Sequence, residues 1–377
     1  MMSDRAPMRS LHSLNNSSVN VMILDMFKYI ADPSGIPRTV VAAVRRGGPD
    51  TLQLRSEQLP PPQPTEVQVE VEVAGVAFGD LLLREGLVPG LPYPRIPGYD
   101  AVGRVAEIGR DVVGLRPGDR VAVRTESGTG GYASALNASA DLTVPIPDAV
   151  SSDEAAAVIL NHVTAWQMLT RVTSLVSGSP VLVHGASGGV GRALVELAQH
   201  LGLRVLGTSS STRMSALAGR GVEAFDRDLR WERDVLRREP HGVQAVFDGM
   251  GGSTARRSLQ LLAPGGTLVE YGVSGVLRRG RRSALGLLGV AASAPRLSTL
   301  ALFSRGISVA GYASSLFVPA HRQWFRDDLS ALLDLLATGS IAPAVEGRIP
   351  LDEAARAHEL LARGVGGKVL LEPAAVG

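Results

Sequence analysis

The stretch VHGASGGVG, Val183 to Gly191, places three glycines within four residues directly after a short apolar run. The segment that follows, GRALVELAQHLG, has helical spacing, so the glycines sit in a turn between a buried strand and a helix. In that setting Ala186-x-Gly188-x-x-Gly191 is a relative of the fingerprint that receives a dinucleotide. A small residue at 186 makes the tight turn. Gly188 lets a pyrophosphate approach the backbone, and Gly191 lets the helix pack closely on the sheet. Ser187, Gly189 and Val190 complete the cradle, and the helix N-terminus presents free N–H groups and a positive dipole end to the phosphates. The alternative is a glycine-rich turn that holds no ligand.

The end of the next strand reports on which dinucleotide binds. An NAD site generally has a carboxylate there, about 20 residues past the turn, for the ribose hydroxyls. Here the strand ends GTSSSTR, Gly207 to Arg213, without one. Ser209, Ser210 and Ser211 suit hydrogen bonds to a phosphate, and Arg213 suits an ion pair with it. This favours NADPH over NADH; the plainer reading of Arg213 is a solvated helix residue.

The elements around the turn are those a dinucleotide site needs. PVLVHGA, RVLGTS, AVFDGM and TLVEYG read as strands. GRALVELAQHLG, TRMSALAGRG and ARRSLQLLAPGG read as helices between them, so a parallel sheet covered on both faces is expected. Upstream, EVQVEVEVAGV alternates, with Val67, Val69, Val71 and Val73 on one face and Glu66, Gln68, Glu70 and Glu72 on the other. Short strands between Gly/Pro turns continue this theme, so a small, mostly antiparallel β domain is expected over 37–150. SSDEAAAVILNHVTAWQML opens with helix-capping residues. The expected divisions are an N-terminal extension at 1–36, the β-rich domain at 37–150, a parallel-sheet domain at 151–312, and a C-terminal part at 313–377. Met22 and Met26 lie inside the extension, to which no chemistry is assigned.

Composition narrows the function classes. The chain has 377 residues, enough for two domains, and 38 basic residues stand against 36 acidic ones. That balance gives no case for nucleic-acid binding. Lys28 and Lys368 are the only lysines. The absence of cysteine excludes disulfides, a thiolate nucleophile and cysteine-ligated zinc. No run of about 18 apolar residues marks a membrane span, and the N-terminal stretch lacks the order of a signal peptide. A soluble, cytoplasmic protein is the expectation.

Several blocks together resemble one family. AGVAFGDLLLREGLVPG, PRIPGYDAVGRVAEIG, PGDRVAV, GGYA, HGASGGVGRALVELAQ, VFDGMGG and PGGTLVEYG are similar to the zinc-independent quinone oxidoreductase branch of the medium-chain dehydrogenase/reductases. The segment SALGLLGV…LALFSRG is similar to its vesicle-amine-transport-like members. The resemblance runs from about Arg38 to Pro373. It implies an α/β fold: a chaperonin-10-like (GroES-like) catalytic domain, a Rossmann doubly wound parallel sheet, and a C-terminal return into the catalytic domain. It implies a homodimer that pairs edge strands near Ile307 to Tyr312.

The resemblance also implies the chemistry: reduction by NADPH of an α,β-unsaturated carbonyl or a quinone, with a small hydrophobic substrate. Tyr271 and Gly272 join the cofactor site on this basis. Tyr93 matches a pocket-lining tyrosine that orients a carbonyl or relays a proton. Tyr99 stands where zinc-dependent relatives have a ligating histidine, and Thr164 matches a threonine on the nicotinamide side. Loop packing is the alternative for each tyrosine, and a bond to its own helix is the alternative for Thr164. Those relatives place Cys three residues before an Asp and follow with Gly-His-Glu. Here the positions are Ala77, Asp80 and Gly98-Tyr99-Asp100, so no metal is expected, and His162 reads as a core or pocket histidine. Many members have Asn where this chain has Ala77. Arg278 to Phe303 reads as a lid over the pocket or a helix on the domain interface, ahead of a membrane-touching patch. The other functional readings are an NADPH-binding protein without redox activity, one that acts by interaction or at a membrane, and a metal-free alcohol dehydrogenase.

Overall fold

The structure, a computed structural model, describes residues 35–88, 90–278 and 280–374. The expected extension therefore lies, up to residue 34, outside the described residues.

Strand Glu66–Gly75 forms where the valines alternate, and Val67, Val69 and Val73 are fully buried. It pairs antiparallel with Asp100–Ile108 on one side, and with Ala135–Ser139 and the last strand, Lys368–Glu372, on the other. Arg120–Arg124, Thr143–Pro145 and Val345–Pro350 complete a seven-stranded sheet. Gln68 departs from the expected outward face. It is buried, and its side-chain amide donates to Asn137 Oδ1 at 3.2 Å and to the Pro60 carbonyl at 3.3 Å. The chain thus leaves this sheet near Pro145 and rejoins it only at Val345, which brings Lys368 beside residues of the first strands.

The second sheet is parallel and six-stranded. Its spatial order is Glu223–Asp226, Arg204–Ser209, Pro180–His184, Val243–Asp248, Leu262–Glu270, Ser308–Gly311. The winding reverses between Pro180–His184 and Val243–Asp248, which opens a crevice at the carboxyl ends of those strands. One face is covered by helices Ser152–Gln167, Gly189–His200 and Arg322–Ala337, in a cluster that also takes in Val73, Val102 and Ala122 of the other sheet. The opposite face packs on Trp231, Val235 and Ala255.

Three sequence expectations change. The helix expected over ARRSLQLLAPGG is Ser253–Ser258 plus one tight turn, and the chain is extended from Leu262. Pro264, Gly265 and Gly266 do not sustain a helix, and tertiary pairing with Val243–Asp248 claims them. The sequence reading passed over the strand Glu223–Asp226, which is an edge of this sheet, and the helix Trp231–Arg238, which packs on its face. The segment Arg278 to Phe303 is a short hairpin and two helices, Ala284–Ser293 and Thr299–Arg305, split around Pro295. No residue of either helix is buried, and Leu300 and Phe303 are 73% and 83% exposed, so the packed interface helix does not occur within this chain.

Candidate active site

The glycine turn sits at the reversal point. Helix Gly189–His200 begins with no side-chain cap, and its first internal bond is from the Arg192 amide to the Gly188 carbonyl at 2.8 Å. The amides of Gly189, Val190 and Gly191 precede that bond and are offered to a ligand. Gly191 is required by packing: a Cβ there would stand 2.2 Å from the Gly185 carbonyl oxygen. A Cβ on Gly189 would stand 2.9 Å from Asn161 Nδ2. The turn therefore has the bare backbone that a pyrophosphate needs, with an amide side chain beside it.

Ser187 and Ser209 are both buried, with their hydroxyls 2.8 Å apart. This pair clamps the turn to the second strand, so Ser209 is engaged within the protein. Ser210, at the surface, shares a hydrogen bond with Thr212. Arg213 donates to the Gly364 carbonyl at 2.8 Å and so spans the opening toward the C-terminal segment. A carboxylate that sequence reading missed, Asp226, stands in register with Ser209 on the neighbouring strand and accepts from the Asp228 amide. It went unseen because that strand was not read.

In the β-rich part, one buried chain of hydrogen bonds fixes the loop that carries Tyr99. The Arg84 guanidinium donates to His358 Nδ1 at 3.2 Å, so that nitrogen must accept and Nε2 must carry the proton. Nε2–H then donates to the Tyr132 hydroxyl, and that hydroxyl donates to Asp80 Oδ2, each at 3.0 Å. Burial first, then Arg84, lowers His358 to about 3, which keeps it neutral. Asp80 also accepts from the Ala77 and Gly98 amides at 2.8 and 2.9 Å. Burial raises Asp80 to about 7, against those three bonds. Its role is visible: it ties the helix start at Ala77 to the loop that carries Tyr99.

Tyr99 packs over Gly79 and Gly128, where any Cβ would collide with its ring. The Arg124 guanidinium lies 4.8 Å from the ring centroid and donates to the Tyr99 and Thr125 carbonyls. Burial, then Asp80, raises the Tyr99 phenol, and Arg124 draws it back. Arg124 is buried, and among the described residues it has no carboxylate within 4.0 Å. The pair brings a phenol together with a buried cation that has no direct carboxylate partner.

Tyr93 is placed differently from its expected role. Its hydroxyl donates to the Leu83 carbonyl at 2.6 Å and closes the C-terminal end of helix Phe78–Arg84. Thr164 is buried beside Tyr312, whose phenol donates to Gln167 Oε1 at 2.7 Å. Gln167 in turn donates to Asp328, which Arg171 holds. Nothing local marks Tyr312 in the sequence, since its partner lies 145 residues away. The Tyr271 ring packs on Gly249, and Asp248, raised by burial to about 6, accepts from the Met250 and Gly251 amides. Tyr271 and Gly272 thus line the same strand ends as the turn.

At the positions of the zinc-ligand comparison, Ala77 is buried and Asp100 pairs with Lys368 at 2.8 Å, both enclosed. Among the described residues no three His, Asp or Glu side chains converge as a metal site. His162 Nε2 lies 2.8 Å from Glu196 Oε2.

Comparison with known proteins adds to this geometry. Residues 63–148 match the family of alcohol dehydrogenase GroES-like domains, and residues 221–371 match that of zinc-binding dehydrogenases. The chain is 30% identical over 331 residues to the mouse synaptic vesicle membrane protein VAT-1 homolog-like, covering 86% of this chain and 79% of the relative. It is 33% identical over 340 residues to a phenolphthiocerol/phthiocerol polyketide synthase protein of Mycobacterium tuberculosis, covering 88% of this chain and 15% of that far longer protein. The crystal structure of Escherichia coli quinone oxidoreductase complexed with NADPH superposes with a TM-score of 0.78 at 28% identity, over 89% of this chain and all of that one.

Proposed function

The chain is a member of the medium-chain dehydrogenase/reductase superfamily, in its quinone oxidoreductase-like branch, and we propose that it uses NADPH to reduce α,β-unsaturated carbonyls or quinones without a metal. That it is an oxidoreductase of this type follows from the membership. The observation that carries the finer reading is the bare turn Gly188–Gly191 at the sheet's reversal, and the Tyr99–Arg124 pair is read as the acceptor side. The NADPH in the E. coli relative supports the choice of cofactor. Tyr271, Gly272, Ser187 and the turn amides hold the dinucleotide in this reading, with Ser210 and Arg213 toward its adenosine end.

When bound, the reduced nicotinamide supplies a hydride. The protein's part is to fix the acceptor and to meet the charge that develops on its oxygen. Arg124 supplies a permanent positive charge in a water-poor setting, and Tyr99 supplies a hydroxyl proton whose release burial resists. Asp80 positions both through the Gly98 loop. Thr164 orients the nicotinamide side, and the Tyr312–Gln167–Asp328 chain keeps its neighbourhood rigid. The exposed apolar segment at 284–305 favours hydrophobic acceptors.

The test is direct. Purified protein is mixed with NADPH and a panel of enones, quinones and ketones, and cofactor oxidation is followed. Turnover with enones or quinones, and little with simple ketones, is expected. Oxidation with ketones alone points to an alcohol dehydrogenase. Tight NADPH binding with no turnover on any acceptor overturns the redox reading. For assembly, the open edge strand Ser308–Gly311 is proposed to pair with that of a second copy. Light scattering should give twice the chain mass of 39.5 kDa.

A further inference from the structure

We propose that the cavity between the end of helix Phe78–Arg84, the hairpin strand Arg281–Arg282 and helix Ala354–Arg363 is a second binding site, which takes a small organic carboxylate. None of its lining residues belongs to the glycine turn, and none is Tyr99, Arg124 or Thr164. The site stands apart from the proposed reaction and does not depend on it.

The cavity has a volume of about 430 Å³, in the range of small-molecule sites. Three distant parts of the chain wall it: Pro49 with Arg84, Gly280 with Arg281, and the helix that carries His358 and Arg363. These parts are fastened to one another. Arg84 Nη2 donates to the Gly280 carbonyl at 2.8 Å, and the Arg282 amide donates to Glu85 Oε2 at 3.1 Å. Gly280 approaches the helix so closely that a Cβ there would stand 2.4 Å from the Ala362 Cβ. The walls are thus held by their own bonds and packing.

Charge selects the class of ligand. Arg84 is enclosed, and besides its bonds to His358 and Gly280 it donates through Nε to the Gly47 carbonyl at 3.0 Å and through Nη2 to Glu85 at 2.8 Å. One Nη1 hydrogen is left without a partner among the described residues. Arg363 and Glu359 lie 3.7 Å apart and are both exposed, a contact that yields readily to a better partner. Arg281 has no ion-pair partner among the described residues. Asp50, the acid beside it across Gly48, is held by Arg45 at 2.9 Å. Three guanidinium groups against Glu85 and Glu359 leave one positive charge in excess. His358 adds none, since burial, then Arg84, lowers it to about 3. A single negative charge balances this excess, whereas a phosphate dianion surpasses it and meets Glu359. A carboxylate also fits the planar guanidinium fork, and Pro49 and Ala362 offer apolar wall to the body of the molecule. Arg84 heads the hydrogen-bond chain that ends at Asp80, so the occupant sits against the group that fixes the Tyr99 loop.

The experiment titrates the full chain by calorimetry with octanoate, its neutral counterpart octanamide, and inorganic phosphate, each with and without NADPH. Octanoate should bind at least about tenfold more tightly than octanamide and more tightly than phosphate. Arg281→Gln and Arg363→Gln should each weaken octanoate about fivefold to tenfold and leave octanamide within about twofold. Both side chains are exposed, and circular dichroism and melting temperature confirm that each variant is folded. NADPH should change the octanoate affinity by less than about twofold. Octanoate that binds no better than octanamide, or that binds both variants as it binds the unaltered protein, overturns the proposal. Displacement of octanoate by NADPH places it in the crevice and overturns it too, although the cofactor reading then stands. Tighter binding of phosphate overturns the carboxylate class. No heat with octanoate up to about 10 mM overturns the site itself. A chain that binds octanoate as expected but not NADPH loses the cofactor reading and keeps this site.

Discussion

Asp80 shows how a single buried carboxylate can shape a site without facing substrate. Two amides and a phenol point at it, and the direction of that chain is fixed by Arg84 at its far end. Asp80→Asn turns a donor toward donors and should lower stability by about 1–3 kcal/mol, read as a drop in melting temperature. The pH dependence has a definite sign. Folding raises Asp80 from 3.8 to about 7, so the folded state holds the proton more tightly and stability falls as pH rises through that window. The Asn variant should show a shallower fall between about pH 4 and 7. The two tyrosines separate by the same logic. Tyr99→Phe should lower kcat about a hundredfold with little change in KM for NADPH. Tyr93→Phe should cost about 1 kcal/mol of stability through the lost Leu83 bond and leave kcat nearly unchanged. A large loss of kcat in Tyr93→Phe alone would reverse those roles.

At the scale of elements, the strand–turn–helix unit at Pro180–His200 was legible because its requirements are local. An apolar run, small residues at set spacings and an amphipathic helix are all properties of consecutive residues. Gly191 is the tightest point. A Cβ there meets backbone at 2.2 and 2.9 Å, so the turn must open to admit it. Gly191→Ala should weaken NADPH binding more than about tenfold and lower the melting temperature, a shape penalty of about 1–3 kcal/mol. Unchanged cofactor affinity in a folded Gly191→Ala protein would remove the pyrophosphate from this turn. The less legible elements lack such local marks. Trp231–Arg238 is charged almost throughout, and only Trp231 and Val235 are buried. The apolar helices at 284–305 have the reverse fault: their composition suggests burial, yet the chain leaves them exposed.

For the molecule as a whole, the last strand matters most. Lys368 carries a charge into the catalytic sheet and meets Asp100, and both are almost fully enclosed. Gly75 makes room: a Cβ there would stand 1.8 Å from Asp100 Oδ1 and 2.5 Å from Lys368 Nζ. Removing one partner strands a buried charge. Lys368→Met should destabilise by about 3–5 kcal/mol, and Asp100→Asn added to it should restore much of the loss in a denaturant titration. Additive losses in the double variant would show that the pair is not what joins the C-terminal return to the sheet.

The sequence by itself determined the alternation of strands and helices, the glycine turn and the family resemblance. Each depends on neighbours in the chain, where spacing carries the information. Tertiary structure alone decided the rest. It brought His358 to Tyr132, Tyr312 to Gln167 and Lys368 to Asp100 across long stretches of chain. It also engaged Tyr93 with a backbone carbonyl. Charge and hydrogen bonding act over a few ångströms of space regardless of sequence distance, so partners of this kind become visible only once the sheets are assembled.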